Sequence, residues 1–164
     1  QKILALHQPG AHDLRFIIAV LKINAELEHI GDATVNISER VLLLVRKEPI
    51  DIPFDFPGMA QRVQAMLHKS LDALVNLDAA LANEVMLADD EVDAINAQMY
   101  GRVEKCIQMD PDRVDSFINL LGISHYLERI ADLASNVAED VIYLVEGQII
   151  RHRKEEYRRG TSRP

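Results

Sequence analysis

One stretch of this chain is written twice, one hundred residues apart. Residues 23–45 read INAELEHIGDATVNISERVLLLV, and residues 123–145 read ISHYLERIADLASNVAEDVIYLV. Aligned without a gap, ten of the twenty-three positions are identical: Ile23/Ile123, Leu27/Leu127, Glu28/Glu128, Ile30/Ile130, Asp32/Asp132, Asn36/Asn136, Glu39/Glu139, Val41/Val141, Leu44/Leu144 and Val45/Val145. The apolar identities are of the kind any two packed helices share. The Glu, Asp, Asn and Glu are not demanded by packing. A duplicated segment restricts the chain to a repeat architecture, and a duplicated polar set marks a duplicated site.

The period inside the block is helical. Ile23, Leu27, Ile30, Ile37, Val41 and Leu44 step by threes and fours or their sum, which places them on one helix face. Apolar residues make up 48% of the 164 residues, enough for a core, while aromatics are only 5% and Trp is absent. With 27% charged residues and few Gly and Pro, this composition points to an all-α protein. The net charge of −8 argues against nucleic acid as a partner, because phosphate contacts need a basic surface. It suits cations. The single cysteine, Cys106, has no internal disulfide partner, which fits a reducing cytoplasm. No apolar run reaches the roughly 18–20 residues of a membrane span, and no stretch of the given residues reads as a secretory signal.

Along the chain, residues 1–8 read as the last turns of a helix stopped near Pro9-Gly10. Asp13 reads as an N-cap or first-turn acid of a long helix ending near Lys47. Pro49, Pro53, Pro57 and Gly58 make 49–58 a linker. A second helix is expected from about residue 59 to 88, with Asp89-Asp90 as a break or tight restart. A third runs from about 90 to 109 and a fourth from about 112 to 145, with Pro111 at a first helical position and Gly147 as the stop. The organisation expected is therefore the closing part of a first repeat over 1–48, the linker, a complete three-helix repeat over 59–147, and a basic tail over 148–164. About 50–60 further upstream residues would complete the first repeat, judged by the length of its counterpart. The tail carries six basic side chains against two acidic ones. It reads as a solvated end or as a contact for an acidic protein surface or anionic headgroups.

Glu28 and Asp32 are one helical turn apart and share a face, as do Glu128 and Asp132. Like charges at this spacing weaken a helix by a few tenths of a kcal/mol, and a bound cation is the simplest compensation. Leu21, Val35 and Leu42 lie in the same sector, which a purely solvated face would not mix in. Oxygen donors without thiolates suit magnesium, manganese, calcium or iron more than structural zinc. Two residues do not complete a shell. Asp89 and Asp93 repeat the acid-x-x-x-acid spacing and are the best further suppliers, with Asp78 and Glu84 behind them. A single such pair is most often solvated surface; its duplication with the flanking Asn and Glu raises the metal reading to parity. The histidines read as surface or capping groups, and no Glu-x-x-His pair of the di-iron bundle type occurs. No phosphate-cradling glycine loop and no nucleophile with a base partner can be argued, so no catalytic residue is assigned.

The wording of LEHIGDATVNISE at 27–39, of YLERIADLASNVAEDVIYLVEG at 126–147 and of PGAHDLR at 9–15 resembles the PhoU family. The resemblance covers roughly residues 4–147. It implies tandem three-helix bundles, the first incomplete here, carrying surface Glu/Asp-x-x-x-Asp motifs that hold metal, often multinuclear iron or zinc. Those motifs match Glu28/Asp32, Glu128/Asp132 and, less closely, Asp89/Asp93. His29 stands where the family usually has Arg, and Leu133 where His is common. By this resemblance the chain is expected to be a non-enzymatic cytoplasmic negative regulator of phosphate uptake and of the phosphate-starvation response. Its expected partners are the phosphate ABC transporter, a sensor histidine kinase and a second copy in a homodimer, with membrane association only through those partners. The alternatives are a carboxylate-bridged metalloenzyme of the helical-bundle type and a metal-free helical scaffold.

Overall fold

The computed structural model describes residues 11–50 and 54–147. The expected helix end at 1–8, the middle of the linker and the basic tail lie outside them. Every regular element among the described residues is helical: α1 (Ala11–Val45), α2 (Phe56–Asn76), α3 (Ala79–Met109), a single 3-10 turn (Pro111–Arg113) and α4 (Val114–Glu146). The all-α expectation holds.

Local chemistry sets the helix ends. Asp13 sits in the first turn of α1, where an acid suits the N-terminal dipole. The Asp55 side chain caps α2 by accepting from Gly58 N at 2.9 Å. Phe56 therefore opens the helix, and Pro57 and Gly58 belong to its first turn rather than to the preceding connection. Gly147 closes α4 at φ 70°, its N–H donating to Tyr143 O at 3.0 Å.

One expected boundary moves. The break between the second and third helices is not at Asp89-Asp90 but twelve residues earlier, at Leu77-Asp78. Leu77 takes a left-handed conformation at φ 51°. Asp78 then caps α3, accepting from Ala80 N at 2.9 Å and Leu81 N at 3.0 Å. That two-hydrogen-bond cap is worth about 1 kcal/mol and outcompetes the Asp-Asp pair as a restart. Asp89, Asp90 and Asp93 all fall inside one uninterrupted helix.

Helix α4 is the central element: α1, α2 and α3 all pack on it, and α2 and α3 pack on each other. Its buried residues include Val137, Val141 and Ile142, with no exposed surface at all. Each such side chain contributes roughly 1.5–3 kcal/mol relative to exposure. Val141 and Ile142 join Met59, Val63, Met66, Val85, Met86 and Val92 in one core, to which α1 adds Ile30 and Ala33. A second cluster of Met99, Val103, Phe117 and Leu120 is closed by Phe54 and Phe56. Between α3 and α4 the buried Ser124 hydroxyl is satisfied, its Oγ donating to Asn96 Oδ1 at 2.8 Å.

Candidate metal centre

Small and β-branched residues bring α3 and α4 close. Val85, Val92, Ala131 and Ala134 are all fully buried in the shared core. One edge of that seam is acidic. Asp89 and Asp93 are one turn apart on α3, and Asp132 projects from α4. A carboxylate oxygen of each lies within 4.8 Å of the others. Asp89 is buried, at 3% exposure, whereas Asp93 and Asp132 are exposed. Two oxygens on one ion can be no farther apart than twice the metal–oxygen distance, about 4–5 Å for hard cations. The separation is within the reach of a shared ion.

Glu128, one turn before Asp132, is half-buried beside this group. Its carboxyl is held above the usual carboxylate range, first by burial and then by the negative charge of Asp132, with Asp93 adding to the effect. His125 opposes the shift: its Nδ1 lies 3.3 Å from Glu128 Oε2. Four carboxylates thus lie close together, Asp89 buried and Glu128 half-buried. A desolvated carboxylate among like charges is unfavourable unless hydrogen bonds, a proton or a cation compensate it. The donors are all hard oxygens, and Cys106, the single thiol, lies on α3 far along the helix from Asp93. The set fits magnesium, manganese, calcium or iron. A bound ion there would supply a bridge between α3 and α4 and a fixed positive charge, with water completing its shell.

The sequence-predicted residues separate into two groups. Asp89, Asp93 and Asp132 come together, with Glu128 alongside. Glu28 and Asp32 lie exposed on α1, and among the described residues no third His, Cys, Asp or Glu converges on them. The reserve candidates are used elsewhere: Asp78 is the α3 cap, and Glu84 pairs with Lys69 at 2.8 Å. The duplicated Glu39/Glu139 pair also diverges, because Glu39 is exposed and Glu139 is 5% exposed. His125, read from the sequence as a surface or capping group, is exposed as expected and is also the neighbour of Glu128. Its signal was its position three residues before Glu128, on the same helix face.

The PhoU domain matches residues 1–41 and 56–141. The chain is 34% identical over 148 residues to the phosphate-specific transport system accessory protein PhoU homolog of Clostridium acetobutylicum, covering 90% of this chain and 68% of that protein. It is 36% identical over 151 residues to the Aquifex aeolicus protein of the same name, covering 92% and 68%. The crystal structure of PhoU from Pseudomonas aeruginosa superposes with a TM-score of 0.84 at 35% identity, over 90% of this chain and 71% of that one. The phosphate transport system regulatory protein PhoU from Streptococcus pneumoniae gives 0.76 at 29% identity, over 90% and 69%. With two matched segments spanning most of its length, this chain belongs to the PhoU family.

Proposed function

We propose that this chain is part of a non-enzymatic cytoplasmic regulator that damps phosphate uptake and the phosphate-starvation response. It acts through protein contacts, with the phosphate ABC transporter and a sensor histidine kinase as partners and a homodimer as the working state. Residues 1–48 form the closing part of one repeat and 59–147, with the turn from Phe56, a complete second one. A divalent or trivalent cation (iron, zinc, manganese or magnesium) is held at Asp89, Asp93 and Asp132, with Glu128 as a further ligand. Glu28 and Asp32 are the corresponding half-site on α1, to be completed by acids from other helices. The observation that carries the metal part is the convergence of three carboxylates from two helices within 4.8 Å, one of them buried. Family membership carries the regulatory part. No described helix is long and apolar enough to cross a membrane, so contact with a transporter would be from its surface.

In a host lacking its own PhoU, the whole protein should silence a phosphate-starvation reporter in phosphate-rich medium. A reporter that stays fully active overturns the regulatory reading. Elemental analysis of protein purified without chelators tests the site separately. Asp89→Asn and Asp132→Asn should each lose bound metal, and unchanged content in both would leave the metal-free scaffold as the better account. Metal-dependent hydrolytic or redox turnover abolished by these same variants would instead select the metalloenzyme alternative.

A further inference from the structure

The seam between α1 and α4 carries a set of polar contacts that the duplication makes readable. The two helices run antiparallel. Lys22 Nζ meets Asp140 Oδ1 at 3.3 Å, and the Asp140 side chain is only 6% exposed. One hundred residues back from Asp140 is Arg40. Arg40 meets Gly122, and one hundred residues back from Gly122 is Lys22. The same exchange holds at the outer turns. Lys47 meets Asp115 at 3.4 Å, the Arg15 guanidinium lies against Gly147, and Asp115 and Gly147 are the repeat counterparts of Arg15 and Lys47. The seam therefore has a pseudo-twofold axis, on which each contact in one half has a partner contact made by the counterpart residues.

The side chains break that symmetry by charge. On the α1 side the four positions are Arg15, Lys22, Arg40 and Lys47, the last just past the helix end; on the α4 side they are Asp115, Gly122, Asp140 and Gly147, the last its C-cap. Two α1 helices in this geometry would set Lys22 against Arg40 and Arg15 against Lys47, which repel. Two α4 helices would leave Asp140 buried against Gly122 with no cation, an uncompensated charge that a buried site does not tolerate. Only α1 against α4 gives Lys22–Asp140 and Lys47–Asp115. Gly122 completes the fit: a Cβ there would fall 2.5 Å from the Arg40 guanidinium carbon, so the missing side chain is the space in which Arg40 lies. Arg40 then donates to Asn119 Oδ1 at 3.2 Å and sits over the Tyr126 ring.

We propose that these positions are a charge and shape key for repeat pairing. The face of α4 that carries Asp140 and Gly122 admits the first-repeat helix of its own chain and rejects another α4. The key has a latent second form: because of the axis, an acid at position 40 and a lysine at position 122 would rebuild the Lys22–Asp140 bridge on the other side of the seam.

Two reciprocal exchanges test it by thermal unfolding of the whole chain. Lys22→Asp and Asp140→Lys should each lower Tm by about 5 °C or more, since each leaves a partly buried charge facing its like. The double variant should recover at least half of the summed loss. Gly122→Lys alone should lose a similar amount through the clash and repulsion with Arg40, and Arg40→Asp/Gly122→Lys should return to within a few degrees of the parent. Where a single variant does not fold, a folded double variant by circular dichroism is the same rescue. Losses that simply add in either exchange overturn the key.

Discussion

Asp93→Asn should change the sign of its effect with metal. Asp93 is exposed, and the amide is nearly isosteric, so packing contributes little to the comparison. What changes is charge. Asp93 lies within 4.8 Å of both Asp89 and Asp132. At that separation Coulomb's law gives about 0.9 kcal/mol per like-charged pair in bulk water and about 3.5 kcal/mol at an effective dielectric of ~20. Solvent and salt screen the exposed Asp93 and Asp132, so the lower value applies. Two pairs then amount to about 2 kcal/mol. Excess chelator at neutral pH and low salt should therefore leave the variant more stable than the parent. The gain in Tm is roughly 4–8 °C, at 2–4 °C per kcal/mol for a chain of this size. With saturating cation the order inverts. An ion that binds a hundredfold more weakly forfeits about 2.7 kcal/mol of linkage stabilisation, and the variant falls below the parent. Differential scanning fluorimetry with chelator and with each candidate cation reads both arms. A variant less stable than the parent under chelator refutes the clustered-charge reasoning. Equal Tm shifts of parent and variant on adding cation refute Asp93 as a ligand.

Glu128→Gln probes the same cluster through pH. Burial, then Asp132, raise the Glu128 carboxyl above its ordinary value of 4.5, so the folded chain binds this proton more readily than the unfolded chain. Its penalty is fully present above the folded value and absent below 4.5. In chelator, chain stability should therefore carry a component that falls as pH rises through the window just above 4.5, and the Gln variant should lack it; identical pH profiles would contradict the raised proton affinity. At the α2–α3 junction, Leu77→Gly should raise Tm by a few degrees. Leu77 is 52% exposed and holds φ 51°, a conformation costing a non-glycine residue about 1 kcal/mol. A lowered Tm would mean that the side chain contributes more than the backbone relief.

The sequence displayed the repeat, the helical class and the acids of the α3–α4 edge, because each follows from spacing alone. A stripe at threes and fours has one reading as structure, and Asp89, Asp93, Glu128 and Asp132 each lie one turn from a like charge. The α2–α3 junction was hidden because its chemistry is split. Leu77 occupies a position where glycine or asparagine usually announces a helix end, and the cap that follows is one Asp in a run of good helix formers. Asp89-Asp90 looked more like a stop and is not one. The role of His125 was hidden for a different reason: one histidine on a helix face is uninformative until the facing helix is known to be acidic.

The duplicated set did not become two like sites among the described residues, and the reason lies in what surrounds each copy. Helix α4 is covered by three helices, so its copy of the block finds Asp89 and Asp93 on α3 and buries Glu139 and Asp140. Helix α1 packs chiefly on α4, so its copy leaves Glu28, Asp32 and Glu39 in solvent and Leu21, Val35 and Leu42 more than half exposed. The repeat counterparts of Val35 and Leu42 are Ser135 and Ile142, both buried. The same helical register thus yields a convergent acidic edge or an open face according to its neighbours. A carboxylate pair on one helix supplies half of a site, and the facing helix decides whether it becomes a whole one. If Glu28 and Asp32 do bind metal, they need acids placed as Asp89 and Asp93 are placed against Asp132. A cation titration of Glu28→Gln/Asp32→Asn beside Asp89→Asn/Asp132→Asn would show which half-site holds the ion.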